Sequence, residues 1–283
     1  MDIIENKTYD QERALYSIRD TIVKGCTFAG PADGESVLKE TRNIVVDDCD
    51  FSLRYPIWHA KKYELKNSRL DSRTRASLWY SDDGIIENTE ITGVKALREC
   101  SRTIIRNCRI DSVEFGWKTR GTKISDSSIV SEYIFLDARD IDIENLDFKG
   151  KYSFQYAEDL VIRNSVLDTK DAFWHSKNVT VTDSVVKGEY LAWFSEGLTL
   201  IRCRIIGTQP LCYCKGLRLI DCEMTDCDLS FEYSDVEADI RGHVDSVKNP
   251  KSGRITADSI GEIINEDAVM ECNALVIAGN SGQ

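Results

Sequence analysis

The sequence predicts an all-β fold: a single-stranded, right-handed parallel β-helix of about twelve coils with a 19-residue repeat. Three observations lead there. A short motif recurs at near-constant spacing, two apolar columns run at fixed offsets from it, and a third column collects all five tryptophans of the chain.

The motif is two apolar residues, any residue, Asn or Asp, a small residue, any residue and a large apolar one. It reads Ile104-Ile105-Arg106-Asn107-Cys108-Arg109-Ile110 in one coil and Val161-Ile162-Arg163-Asn164-Ser165-Val166-Leu167 in another. With the small residue as anchor, the series is Lys7, Cys26, Cys49, Ser68, Thr89, Cys108, Ser127, Leu146, Ser165, Ser184, Cys203 and Cys222. Its spacings are 19, 23, 19, 21 and then 19 seven times. Three residues before the anchor stand Ile4, Val23, Val46, Leu65, Ile86, Ile105, Ile124, Ile143, Ile162, Val181, Leu200 and Leu219. Two after it stand Tyr9, Phe28, Phe51, Leu70, Ile91, Ile110, Ile129, Phe148, Leu167, Val186, Ile205 and Met224. In a chain with 42% hydrophobic residues, twelve apolar hits in one column arise by chance with a probability of roughly 3 × 10⁻⁵.

Short β-branched runs bounded by Asn, Asp or Gly are strands, too short to be helices. The residue before the anchor is Asn, Asp or a variant such as Gly25 or Arg202, as a tight bend in the left-handed region favours. One such unit cannot bury its own inner face, but coils stacked ~4.8 Å apart can. The left-handed hexapeptide solenoid has a six-residue period, of which 19 is not a multiple, so a right-handed coil is expected. After Cys222 the register lapses. Val236 to Val247, a turn at Asn249-Pro250-Lys251-Ser252-Gly253, and Arg254 to Ile264 read as extra strands that close the open edge of the stack. The expected organisation is one domain, with coils over 1–235, capping strands over 236–265 and an unassigned tail over 266–283.

The second strand of each coil carries the unusual chemistry. Nine residues after the anchor come Trp58, Trp79 (displaced by a two-residue insertion), Arg98, Trp117, Leu136, Gln155, Trp174, Trp193, Cys212 and Phe231. The next column is His59, Tyr80, Glu99, Lys118, Asp137, Tyr156, His175, Phe194, Tyr213 and Glu232. It holds too many charges to point inward, because an unpaired buried charge is prohibitive. Strict alternation then puts the tryptophan column inside, with Arg98 and Gln155 as awkward core residues. A bend would instead expose both columns and bury the preceding one: Ile57, Leu78, Leu97, Phe135, Phe154, Phe173 and Leu211. Alternation is the simpler of the two geometries.

The segments Arg54-Tyr55-Pro56-Ile57-Trp58-His59, Lys151-Tyr152-Ser153-Phe154-Gln155-Tyr156, Asp171-Ala172-Phe173-Trp174-His175 and Thr208-Gln209-Pro210-Leu211-Cys212-Tyr213-Cys214 carry a resemblance. They resemble an uncharacterised bacterial family catalogued as domain of unknown function 3737, over residues 1 to about 265. That resemblance implies a pectin-lyase-like right-handed β-helix and supplies no reaction.

A row of aromatic and charged groups on a flat sheet suits an elongated glycan, whose rings stack on aromatics while its hydroxyls take polar partners. The ligand-binding candidates are His59, Tyr80, Arg98, Trp117, Tyr156, Trp174, Tyr213 and Glu232. Glu99, Lys118 and Asp137 share a column in consecutive coils, so the carboxylates lie ~10 Å apart, near the upper end for an inverting acid–base pair. They are the catalytic candidates for a hydrolase or lyase-like activity, with His175 as a lone acid or base. The plainer reading of the trio is a cross-strand charge ladder. His59 and His175 are six coils apart, roughly 29 Å, and cannot share a metal or a proton. Asp82-Asp83-Gly84 and Gly242-His243-Val244 differ in order and spacing from the motifs of polygalacturonase-type hydrolases, and nothing is carried over from them.

Composition sets the remaining bounds. The 283 residues carry 48 acidic and 36 basic side chains, a formal charge of -12, which disfavours non-specific nucleic-acid binding. No apolar run reaches the ~18–20 residues of a membrane span. The first residues have no apolar signal region, and ten cysteines then read as reduced thiols in a cytoplasm. Five of these occupy the small anchor position, and Cys212-Tyr213-Cys214 lacks a zinc spacing, so no metal or other cofactor is expected. The alternative to a glycan ligand is a non-enzymatic scaffold whose aromatic strip binds another protein or forms a homodimer.

Overall fold

The computed structural model describes residues 1–30 and 35–279. The chain divides into two compact units, Met1–Asp142 and Ile143–Gln283. Each is a parallel β-solenoid.

In the first unit, strands Arg19–Lys24, Arg42–Asp47, Lys61–Lys66, Asp82–Glu87 and Ser101–Arg106 pair parallel and in register, Val23 to Val46 to Leu65 to Ile86 to Ile105. A second series of two- and three-residue strands aligns Tyr9, Phe28, Phe51, Leu70, Ile91 and Ile110. In the second unit the same two columns run Ile162–Val181–Leu200–Leu219 and Leu167–Val186–Ile205–Met224. From Val23 and Phe28 onward, both columns are buried. The apolar positions predicted to face inward therefore form the core.

Two devices hold each coil. The residue before the anchor is in the left-handed region throughout, with φ of 48 to 60° from Asn6 and Gly25 to Arg202 and Asp221. At Asn88 and Asn107 the side-chain amide reaches back to the preceding coil: Asn88 Nδ2 donates to Asn67 Oδ1 at 3.2 Å and Asn107 Nδ2 to Asn88 Oδ1 at 2.7 Å. The anchor is small because its side chain serves the neighbouring backbone. The amides of Cys49, Cys108 and Ser165 donate to Ser68 Oγ, Ser127 Oγ and Ser184 Oγ at 3.1, 3.1 and 3.0 Å. Nine of the ten cysteines are buried free thiols, with Cys272 partly exposed.

Volume is matched between coils. The ring of Tyr63, 1% exposed, lies across Gly84, its register partner in the next coil. A Cβ on Gly84 would fall inside the contact distance of Tyr63 Cζ and Oη and 2.6 Å from Cε1.

The C-terminal region corrects the coil count, to about 14 turns rather than twelve. Asp235–Lys248 pairs parallel with Leu217–Thr225, Ser252–Ile264 pairs parallel with Asp235–Lys248, and Leu275–Ala278 pairs parallel with Ser252–Ile264. These strands lengthen the stack, and the last lies in the tail that the sequence left unassigned. The repeat motif lapses here because the register shifts twice, between Leu219 and Cys222 and between Ile240 and His243. No helix among the described residues is long and apolar enough to cross a membrane.

Candidate functional site

Strict alternation fails at the tryptophan column. The residues flanking it are in the left-handed region: Leu78 and Tyr80 at 60 and 55°, Phe154 and Tyr156 at 58 and 57°, Phe173 and His175 at 60 and 55°. Two such residues around one ordinary residue turn the chain twice, so successive side chains no longer point to opposite faces. Ile57, Leu78, Leu97, Phe135, Phe154, Phe173 and Leu211 are fully buried, the five tryptophans are half-buried, and Glu99, Lys118, Asp137, Tyr156 and His175 are exposed. The bent geometry holds, and the expectation of an interior tryptophan column is overturned.

The half-buried column ties coils together. Each indole donates to the backbone carbonyl three residues before the same position in the next coil. Trp58 bonds Ala76 O at 2.6 Å, Trp79 Lys95 O at 2.5 Å, Trp117 Tyr133 O at 2.9 Å, Trp174 Tyr190 O at 2.6 Å and Trp193 Gln209 O at 2.8 Å. Gln155 Nε2 makes the equivalent bond to Asp171 O at 3.1 Å. Arg98 lies between two indoles, its guanidinium 5.0 Å from the Trp79 ring and 5.3 Å from that of Trp117. Arg98 and Gln155 are thus at home at a half-buried position: one is held by cation–π contacts on both faces, the other by the amide bond.

The exposed column is stacked ring on ring. In the first unit His59 and Tyr80 stack with centroids 5.1 Å apart, and Glu99, Lys118 and Asp137 follow. In the second unit Tyr156, His175, Phe194 and Tyr213 stack at 4.9, 5.0 and 4.8 Å, within 15° of parallel. The repeat along the stack sets that spacing. Both faces of His175 and of Phe194 are covered by neighbouring rings, so a sugar cannot lie flat on them. Solvent meets ring edges, which carry the imidazole nitrogens and the tyrosine hydroxyls.

At the end of the column the structure differs from the sequence alignment by one residue. Tyr213 N bonds Glu232 O at 2.7 Å, whereas His175 N bonds Trp193 O, a tryptophan-column residue. Tyr233 therefore takes the exposed position, 5.7 Å from Tyr213, and Glu232 moves to the half-buried one. There Glu232 pairs with Lys248 at 3.0 Å, which raises the lysine pKa. Burial, followed by the Glu232 charge, raises that of the Tyr213 phenol.

The catalytic candidates do not converge. Glu99 approaches Arg98 of its own coil at 3.6 Å, and among the described residues no ion pair joins Glu99, Lys118 and Asp137. The charge ladder is therefore not closed, and the three side chains are exposed to water.

A concavity of about 400 Å³ lies elsewhere in the second unit, lined by Glu223, Met224, Thr225, Asp226, Arg241, Gly242, His243 and Asp245. It forms at a β-bulge where Arg241, Gly242 and His243 are consecutively exposed. The sequence signal was a glycine inside a strand pattern, flanked by Arg241 and His243.

Comparison with curated protein sequences returns no match. Among solved structures, the chain is similar to the A-module of the Azotobacter vinelandii mannuronan C-5 epimerase AlgE6, at 11% identity and a TM-score of 0.49, covering 98% of this chain and 87% of that one. The Streptococcus pneumoniae surface adhesin PfbA matches at 11% identity and a TM-score of 0.40, over 78% of this chain and 72% of that one. The catalytic domain of a GH87 alpha-1,3-glucanase in complex with tetrasaccharides matches at 9% identity and a TM-score of 0.37, over 99% and 64%. The family match spans residues 2–278, and the chain belongs to the family described as protein of unknown function, DUF3737.

Proposed function

We propose that the exposed column binds an elongated polyhydroxylated ligand, a glycan, through hydrogen bonds to ring edges and charges rather than by ring stacking. The observation that carries this is the row itself. Within each unit the polar side chains of the column recur once per coil at the solvent surface, His59, Tyr80, Glu99, Lys118 and Asp137 in the first and Tyr156, His175 and Tyr213 in the second, while both faces of His175 are occupied by neighbouring rings. Mixed donors and acceptors at a fixed interval suit a chain of hydroxylated rings. Glu99, Lys118 and Asp137 act as binding groups on this reading.

The half-buried tryptophans beneath the column report occupancy by fluorescence. Titration with a panel of neutral and acidic oligosaccharides should quench or shift that emission for at least one member. Lys118→Ala or Tyr156→Phe should then weaken binding roughly threefold to tenfold, the range of one net hydrogen bond. Silence across the whole panel would sink the proposal. Cleavage would be added to binding only if Glu99→Gln or Asp137→Asn abolished product formation without lowering the melting temperature.

Phe194 favours a second reading, a self-association surface, because it is 41% exposed and offers no polar edge. That reading expects a dimer by sedimentation, dissociated by Phe194→Glu; a monomer at all concentrations removes it.

A further inference from the structure

The bulge in strand Asp235–Lys248 builds a second constellation, of residues that are not part of the aromatic column. His243 and Ser259 are register partners on adjacent strands, and the bulge just before them turns the imidazole outward. His243 Nδ1 and Ser259 Oγ are 2.9 Å apart. On the other side of the ring, His243 Nε2 lies 3.8 Å from Asp245 Oδ1. With Nδ1 accepting from the serine hydroxyl, the ring proton sits on Nε2, facing the carboxylate. A hydroxyl, an imidazole and a carboxylate thus stand in the order used to activate a serine nucleophile.

Two further features keep the place open. Gly261 follows Ser259 by two residues on the same face, and a Cβ there would lie 3.4 Å from His243 Nε2 and 2.6 Å from Asp245 O. Glycine at this position therefore leaves room beside the ring. His243 and Asp245 also line the adjoining groove of about 400 Å³, within the size range of small-molecule sites, and Ser259 stands beside that lining on the next strand.

We propose that Ser259, His243 and Asp245 form an acyl-transfer site that hydrolyses small carboxylic esters. Ser259 Oγ attacks the acyl carbon as its proton passes to His243 Nδ1. The bond from that carbon to the leaving oxygen breaks, and the proton moves on to the departing alcohol. Water then attacks the acyl carbon as it gives a proton to the same Nδ1; the bond from that carbon to Ser259 Oγ breaks, the serine takes the proton back, and the carboxylic acid leaves. Asp245 favours the imidazolium formed in each half of the cycle.

The lining selects the charge of the substrate. Glu223, Asp226 and Asp245 bring three carboxylates to the groove, and Arg241 is occupied by Asp221 at 2.7 Å and Glu223 at 3.2 Å. A neutral or cationic ester fits; a phosphodiester or an acyl phosphate is repelled. The groove is open to water, so the tetrahedral oxyanion is stabilised largely by solvent and turnover is slow. Acylation of the serine is the sensitive readout.

The full-length protein is treated with a fluorophosphonate probe, and the labelled peptide is identified by mass spectrometry. Hydrolysis of p-nitrophenyl acetate is followed in parallel. We expect the label on Ser259, and a fall of roughly 10²-fold or more in its rate in His243→Ala, the usual contribution of a general base. Asp245→Asn should retain labelling at a reduced rate. Ser259→Ala, at a partly exposed position, should fold with an unchanged melting temperature and lose both label and turnover. An unlabelled Ser259 in the folded protein overturns the proposal, as does labelling at the same rate in His243→Ala. The result is independent of the oligosaccharide titration, since it reads a different set of residues.

Discussion

Replacing Gly84 by Ala isolates one inter-coil contact. Gly84 does not use a positive φ, so alanine is conformationally acceptable there and would by itself stabilise by about 0.4–1 kcal/mol through the unfolded chain. Against that stands the Tyr63 ring, across which the new methyl would fall, 2.6 Å from Cε1 and closer still to Cζ. Tyr63 is 1% exposed and cannot swing into water. Overpacking of this kind costs about 1–3 kcal/mol, and overlap with a rigid ring places it at the upper end, about 3 kcal/mol. Tyr63→Ala alone should cost about 3–5 kcal/mol by opening a cavity. The double variant removes the clash, so its loss should match Tyr63→Ala alone, with a coupling of about 3 kcal/mol. Urea unfolding followed by tryptophan fluorescence measures all four corners of the cycle. Strict additivity, or a Gly84→Ala protein as stable as the wild type, would refute the interlocking of Tyr63 and Gly84.

The remaining expectations concern the same ties and the thiols. Gln155→Trp should raise stability by about 0.5–1.5 kcal/mol, because an indole there can donate to Asp171 O and extend the Trp174–Trp193 stack, now at 5.4 Å; thermal melting checks it. Burial pushes the Cys49, Cys100 and Cys227 thiols up to about 12, from an ordinary value of 9.0. Unfolded thiols therefore release their protons first, so stability is full below pH 9 and falls between pH 9 and about 12, by on the order of 1 kcal/mol per pH unit for each thiol. Cys100→Ser should flatten that alkaline slope in urea midpoints measured against pH. A thiol reagent should titrate Cys272 in the native protein and the nine buried cysteines only after denaturation; rapid reaction of several thiols in the native protein would contradict the core described above.

The period, the two inward columns and the left-handed bend before the anchor were legible because each depends on one residue type at a fixed offset. Cysteine and serine exchanging at Cys108 and Ser127 marked a small inward site directly. For the tryptophan column two geometries stood open, and the simpler one fails because alternation assumes extended backbone on both sides. Phe173 and His175, neither of them an Asn or Gly, adopt positive φ and give no warning in sequence. A signal was nevertheless present: Trp and Gln share a side-chain N–H donor, and a column that accepts both is one that must reach an acceptor. Glu232 was misplaced for a simpler reason. A one-residue shift beyond Cys222 moves every assigned face, and only the pairing of Tyr213 with Glu232 reveals it. The Ser259–His243–Asp245 grouping was out of reach, since it depends on the bulge between Ile240 and His243.

The indole bonds all run one way along the chain. Every donor in the column looks to a carbonyl that is made later, so a coil finishes its own bonding only when its successor is laid down. Growth of the stack is thereby directional, like masonry in which each course is locked by the one above. At the far end Cys212 and Glu232 take the position, and neither carries an indole that would be left waiting. Length then becomes adjustable in whole courses. Deleting 158–176 removes one coil together with its donor and still presents Tyr190 O to Gln155, whereas deleting one residue more or fewer would leave donors unpaired and turn side chains to the wrong face.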